Sequence, residues 1–143
     1  MKTLILIMAV LCSLHINAQE IKKEYLNAGP GYTNVVTVTN GNQKTIYVAG
    51  QTGVGDTMAD QITSAYKKLE QQLALAGAKF HDIVTMRTYI VQYREKDLDT
   101  FRDIRSELYG TENMPANTLL GVTSLYKDDV KVEMEAVAVV GVE

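Results

Sequence analysis

The sequence contains few of the side chains that most often bind metals or form covalent intermediates. Its 143 residues include one cysteine, two histidines and no tryptophan. Cys12 and His15 lie in an N-terminal segment that we expect to be removed, which leaves His81 as the single imidazole. The remaining chain then has no disulfide, no thiol nucleophile and no zinc site built from cysteine and histidine. A Ser-His-Asp triad would need His81, which lies in a predicted loop, where histidines are usually solvated.

The N-terminal segment also lacks a hydrophobic run long enough for a membrane anchor, which needs about 20 apolar residues. It has an early Lys2, an apolar stretch from Leu4 to about Leu14, and a small residue, Ala18, before the chain becomes polar. That order is typical of a secretory signal peptide. We therefore predict a signal peptide over 1–18, a single domain over 19–143, and an exported protein located in the periplasm, with no membrane association after cleavage.

Basic residues are in the minority. Without Lys2, the 14 lysines and arginines become 13 against 17 acidic residues, so the net charge changes from −3 to −4. Nucleic-acid binding relies on basic patches that release counterions from phosphates. The composition therefore argues against a nucleic acid as partner.

Periodicity predicts an α+β domain with the order β-β-α-β-α-β-β. An Asn-Gly turn joins the first two strands, a Thr-x-x-Asp start precedes the first helix, and Gly77 and Gly110 end the two helices. The last strand alternates, so that Val137 and Val139 point away from the face that two helices can cover. A second subunit would cover them, and we expect an oligomer. The predicted strands are 35–39, 45–51, 82–91, 117–124 and 130–140, and the predicted helices are about 57–77 and 97–110.

Two glutamates of the last strand, Glu133 and Glu135, are neighbours on one face. Paired carboxylates can perform acid–base chemistry or hold a water molecule. They can equally form a solvated edge of the sheet, and the sequence leaves both interpretations open for Glu133. Arg87, on a predicted strand with Thr85 and Tyr89, has two interpretations as well. It is a cation for a ligand or, as we favour, the ion-pair partner of a carboxylate such as Glu135.

Five segments together resemble the Rid family, also called the YjgF/YER057c/UK114 family. They are AGPGYTNVV, IYVAGQTG, LALAGAKFHDIV, MPANTLLGV and VKVEMEAVAVV, and the resemblance covers nearly all of 19–143. It implies a chorismate-mutase-like α+β fold with two helices on one face of a mixed sheet. It also implies a homotrimer that binds small molecules in clefts between subunits. The best-studied branch of the family hydrolyses 2-imino acids to 2-keto acids and ammonia without a metal or cofactor.

The resemblance also assigns site residues. Glu133 corresponds to the glutamate that positions the attacking water, and Tyr32, Gly50 and Leu119 correspond to ligand-contacting positions. Asn117 stands where the active branch has an arginine that binds the substrate carboxylate. An amide offers a neutral donor in place of a charged, planar fork, so we expect a changed specificity.

Three functions remain open at this stage. The first is a cofactor-free deaminase, a hydrolase of an imine or enamine, in which Glu133 orients water and Asn117 binds a neutral group. The second is a trimer that binds a metabolite without turnover. The third is a chaperone-like or structural trimer. Ribonuclease activity is disfavoured by the acidic charge and by the lack of a histidine pair.

Overall fold

The computed structural model describes residues 20–142, so the predicted signal peptide lies outside the described residues. These residues form a six-stranded sheet and two helices, together with a short 3-10 helix, Phe80–Asp82, and the predicted α+β class is confirmed. The strands are β1 (Lys22–Gly29), β2 (Tyr32–Asn40), β3 (Gln43–Thr52), β4 (Ile83–Val91), β5 (Ala116–Val122) and β6 (Val132–Gly141). The helices are α1 (Met58–Leu75) and α2 (Glu95–Tyr109).

The strand order across the sheet is β1-β2-β3-β6-β4-β5. Every neighbouring pair is antiparallel except β4 and β5, which are parallel because α2 carries the chain back between them. The sheet is therefore mixed, as the resemblance implies. The last strand in sequence lies at the centre, between β3 and β4, so its side chains contact both halves of the sheet.

Sequence periodicity missed the first strand, β1. Its residues, KKEYLNAG, are mostly polar and exposed, because β1 is an edge strand that pairs only with β2. A tight turn joins the two strands, and Gly31 in this turn has a φ of 81° after Pro30. Pro followed by Gly with positive φ is typical of a type II turn. The turn brings Tyr32 to the first position of β2, opposite Gly29.

The first helix follows its sequence signals closely. Thr57 and Asp60 form the predicted capping box, in which the Thr57 hydroxyl accepts from the Asp60 N–H at 3.1 Å and the Asp60 carboxylate accepts from the Thr57 N–H at 3.2 Å. All six residues of the predicted apolar stripe are buried in the core: Ile62, Ala65, Tyr66, Leu69, Leu73 and Ala76.

The predicted start of α2 at Asp97 is wrong by two residues. The helix begins at Glu95, and Asp97 is its third residue, whose carboxylate accepts from the N–H of Arg94 at 2.7 Å. Asp97 is buried because it satisfies a backbone donor that the helix leaves without a partner. Strand bounds also differ from the predicted ones by up to three residues, the largest difference being at the start of β2, Tyr32, which was predicted at 35.

The two faces of β6 differ as predicted. Val132, Met134, Ala136 and Ala138 are buried towards the helices. Glu133, Glu135, Val137 and Val139 occupy the opposite face, which we call the open face, and are half-buried there. Neighbouring Tyr47 on β3 is 48% exposed on the same face. The described chain leaves this apolar surface uncovered, so its cover by another subunit stays a prediction.

Candidate functional site

An irregularity in β3 opens the sheet beside the central strand. Val48 pairs with Ala136 and Gln51 with Met134, so three steps along β3 match two along β6. Val48 and Gln51 are both buried on the helix side. In a regular strand, residues three positions apart point to opposite faces, so the strand is irregular between them. This is a β-bulge at Ala49 and Gly50. Gln51 stabilises it, because its amide donates to the Ala49 carbonyl at 2.9 Å.

The bulge coincides with the end of the β2–β3 ladder. Pairing with β2 begins at Val35 opposite Val48, so residues 49–52 of β3 have no β2 partner. Asn34 lies across this gap, and its side-chain oxygen accepts from the Gln51 amide at 3.3 Å. Residues 49–52 therefore form a free edge of β3, where no strand pairs on the β2 side. A cavity can extend past this edge from the open face towards α1.

Gly50 and Glu133 pack against each other at this bulge. A Cβ placed on Gly50 would lie 2.6 Å from Cδ and 2.9 Å from Cγ of Glu133, and it would overlap the carboxylate oxygen. Gly50 is therefore required here for space and not for backbone conformation, because its φ is not positive. The bulge places the Glu133 carboxylate directly over the backbone of Gly50.

Burial raises the pKa of the Glu133 carboxyl above its ordinary value, and the negative charge of Glu135 raises it further. The two carboxylates lie at i and i+2 on the open face, as expected. A carboxyl with a raised pKa ionises closer to neutral pH, so that it can both accept and donate a proton. Perturbed carboxyls in cavities are candidates for catalytic groups, although ion-pair networks also produce them.

A cavity of about 470 Å³ contains the Glu133 carboxylate. Pockets for small organic ligands commonly have about 300–1,000 Å³. Tyr32 and Gly50, two of the residues assigned by resemblance, line this cavity together with Glu133. The complete lining is Tyr32, Asn34, Ala49, Gly50, Gln51, Thr52, Lys68, Tyr126 and Glu133.

Lys68 and Tyr126 are two cavity residues with chemically distinctive side chains that sequence reasoning missed. Lys68 extends from α1 around the free edge of β3 and donates to the Thr52 carbonyl at 2.8 Å. Tyr126 lies in the connection between β5 and β6 and is 68% exposed. Neither has a sequence signal, because Lys68 is a polar residue between core positions and Tyr126 is an aromatic residue in a polar loop.

Arg87 is paired on the open face. Its Nη1 lies 2.8 Å from Oε1 of Glu135, and the Tyr89 hydroxyl donates to the same oxygen at 3.3 Å. The hydrogen bond and charge of Glu135 raise the pKa of Arg87. The favoured interpretation of Arg87 as an ion-pair partner is confirmed. Arg87 and Glu135 line a second, smaller cavity of about 290 Å³, which shares Ala49 with the first.

Comparison with known proteins identifies the family. The family model described as endoribonuclease L-PSP matches residues 22–140. The chain belongs to this family. The solved structure of Rv2704 from Mycobacterium tuberculosis, described as a member of the YjgF/YER057c/UK114 family, is 28% identical to the chain. The match covers 83% of this chain and 100% of that one, with a TM-score of 0.70.

Solved structures of lower identity share the fold. NMB1025 from Neisseria meningitidis, a member of the YjgF protein family, is 18% identical, with 82% of this chain and 94% of that one covered and a TM-score of 0.70. Yeast Mmf1 is 23% identical, with 78% and 89% covered and a TM-score of 0.64. A search of curated protein sequences gave no match.

Two residues assigned by resemblance to this family lie away from the cavity. Asn117 pairs with Met86 and Leu119 with Thr88, so both side chains point to the helix side of the sheet, opposite Glu133. Leu119 packs against the core. The side-chain oxygen of Asn117 is buried without a hydrogen-bond partner among residues 20–142. Within one chain, the structure therefore brings Tyr32 and Gly50 to Glu133 but not Asn117 or Leu119.

Within residues 20–142 there is no group of three or more histidine, cysteine, aspartate or glutamate side chains that could hold a metal ion. No helix of this part of the chain is long and apolar enough to cross a membrane.

Proposed function

We propose that this YjgF/YER057c/UK114 family protein is a cofactor-free hydrolase of a small imine or enamine, with Glu133 as the catalytic residue. One observation carries the proposal. The Glu133 carboxyl is half-buried against Gly50, with its pKa raised by burial, in a cavity of the right size for a small organic compound. The imine deaminase branch that the family resemblance implies supports the same chemistry.

The reaction converts a C=N bond and water into a carbonyl compound and ammonia. Ionised Glu133 accepts a proton from the attacking water as its oxygen bonds to the electrophilic carbon. Glu133 then gives this proton to nitrogen, which produces a carbinolamine. The hydroxyl proton of the carbinolamine passes through Glu133 to nitrogen as the carbonyl forms, the C–N bond breaks, and ammonia leaves. A raised pKa serves both steps, because it makes the carboxylate a stronger base and increases the protonated fraction that can donate a proton.

We further propose that the active unit is a homotrimer, exported to the periplasm. The uncovered open face with Tyr47, Val137 and Val139 supports an interface there. In the trimer, the clefts between subunits would contain the site. Within one chain, Asn117 points to the opposite side of the sheet from Glu133. A role for Asn117 in the site therefore requires that it reach the Glu133 cavity of a neighbouring subunit.

The role of Asn117 can be measured by introducing the missing charge. Asn117→Arg should increase affinity for 2-oxobutanoate in calorimetry, since a charge-assisted fork replaces a neutral donor. Unchanged affinity in a folded variant would make Asn117 a structural residue.

Turnover tests the hydrolase proposal. Ammonia release should be measured with freshly generated 2-imino acids and with uncharged imines of similar size. We expect slow turnover of short 2-imino acids, because position 117 carries no charge. Glu133→Gln should lower turnover by about 10²- to 10⁴-fold. The matched control is Glu24→Gln, which removes an exposed carboxylate on edge strand β1, paired with Lys22, and should leave turnover unchanged.

The second candidate is a non-catalytic trimer that binds a metabolite. It is favoured by the partial site, in which Glu133 is retained while a neutral residue replaces the arginine at 117. Binding of ligands by the wild type without any ammonia release above the Glu133→Gln variant would establish this alternative and reject the hydrolase. Absence of both binding and turnover would favour a chaperone-like role.

A further inference from the structure

The ammonium group of Lys68 is a cation in the Glu133 cavity that the family resemblance does not supply. It reaches the cavity around the free edge of β3 and is fixed there by its 2.8 Å hydrogen bond to the Thr52 carbonyl. An ammonium group has three donors, so two remain for other acceptors. No carboxylate of residues 20–142 forms a salt bridge with Lys68, although Asp56 and Asp129 line the adjoining cavity.

Glu133 and Lys68 form no salt bridge among residues 20–142. An ammonium group near a carboxyl lowers the pKa of that carboxyl. The pKa of Glu133 is raised instead, by burial and by Glu135. Arg87, in contrast, is already bound to Glu135 at 2.8 Å. Arg87 therefore offers a ligand no free charge, whereas Lys68 does.

The rim of the cavity adds a flat apolar surface. Tyr32 and Tyr126 both line it and are 58% and 68% exposed. The ammonium of Lys127 lies 5.4 Å from the ring centre of Tyr126, which adds positive charge at the same rim. Exposed tyrosines at a cavity mouth contact planar or apolar ligand groups through their rings at little entropic cost. A volume of about 470 Å³ also exceeds the needs of a ligand with only a few heavy atoms.

We propose that Lys68 is the residue that binds an anionic group in this cavity, and that the preferred ligand is an organic anion with a planar or bulky apolar group. Lys68 binds the acidic group, and Tyr126 contacts the apolar part. This inference rests on the proposed function for the position of the ligand beside Glu133, and it names the substrate class of that site.

Binding tests this inference separately from turnover. Calorimetry with the mature chain, in the oligomeric state in which it is isolated, should compare phenylpyruvate with pyruvate and with the uncharged methyl ester of phenylpyruvate. We expect phenylpyruvate to bind more tightly than both. Lys68→Met should weaken its binding by about 10- to 100-fold, because a hydrogen-bonded charge is lost. Lys68→Arg should restore part of that loss.

Lys67→Met is the matched control, because Lys67 is the exposed neighbour on the same helix, and it should leave affinity unchanged. Tyr126→Ala should weaken phenylpyruvate more than pyruvate, whereas Tyr25→Ala, at an exposed tyrosine of β1, should affect neither. Equal binding of acid and ester, equal effects of the two lysine variants, or no binding at all would overturn the inference. Loss of turnover in Glu133→Gln bears only on the hydrolase, so either proposal can fail alone.

Discussion

The contact between Gly50 and Glu133 allows a substitution that should damage the site while leaving the fold intact. In Gly50→Ala, the new methyl group would lie 2.6 Å from Glu133 Cδ, whereas ordinary contact begins at 3.4 Å. The carboxyl must therefore move by at least about 0.8 Å. The open face gives it a direction to move, because the described chain does not cover that face beside Glu133.

The effects on function and on stability should have different sizes. Misplacing a catalytic group by about 1 Å can cost about 100-fold in rate. The moved carboxyl should also become more hydrated, so its pKa should fall towards the ordinary value of about 4.5. Because Gly50 does not need a positive φ, alanine adds no backbone strain and removes freedom from the unfolded chain, which stabilises by about 0.4–1 kcal/mol. We expect the free energy of unfolding to change by less than about 1 kcal/mol.

Three measurements check this prediction: urea unfolding, ammonia release, and a carbon-13 NMR titration of the Glu133 carboxyl. Gly141→Ala is the control, because a Cβ there would meet a single atom, the Asn42 carbonyl oxygen, at 4.0 Å, and its φ is not positive. It should leave both turnover and the Glu133 pKa unchanged. A Gly50→Ala protein with an unaltered Glu133 pKa and unaltered turnover would refute the link between the bulge and the site.

Further predictions concern charge, assembly and export. Glu133 has a higher pKa folded than unfolded, so its stabilising contribution is present below about pH 4.5 and lost as pH rises through the folded pKa. Glu133→Gln should therefore raise the free energy of unfolding at pH 7, by less than about 1 kcal/mol for a half-exposed group, and the gain should vanish near pH 4 in urea titrations. A lower free energy of unfolding for Glu133→Gln than for the wild type at pH 7 would contradict this prediction. Light scattering should give about three times the mass of one chain, and a stable monomer would remove the cleft between subunits. Intact-mass measurement of protein from the cell envelope should show Gln19 as the first residue, whereas retention of Met1 would exclude export by signal cleavage.

Local sequence patterns determined most of the fold. The helix stripe from Ile62 to Ala76, the capping box at Thr57 and the alternation of β6 each depend on contacts within a few residues, so periodicity alone predicts them. The polar edge strand β1 escaped prediction, because its stability comes from pairing with β2 and not from a buried face of its own. The start of α2 at Glu95 was also not predicted. An aspartate such as Asp97 is common both just before a helix and within its first turn, so the sequence does not fix the exact start.

The candidate site likewise combines features that the sequence predicts with features that depend on the tertiary structure. Sequence alone put Glu133 beside Glu135, predicted the Arg87 ion pair, and through resemblance selected Tyr32 and Gly50. Only the tertiary structure decided that a bulge opens β3 over Glu133, that Asn117 faces the helices, and that Lys68 reaches the same cavity from α1. These features depend on register between strands that are distant in sequence. A shift of one residue moves a side chain to the other face of a sheet, so local periodicity cannot fix which side chains meet.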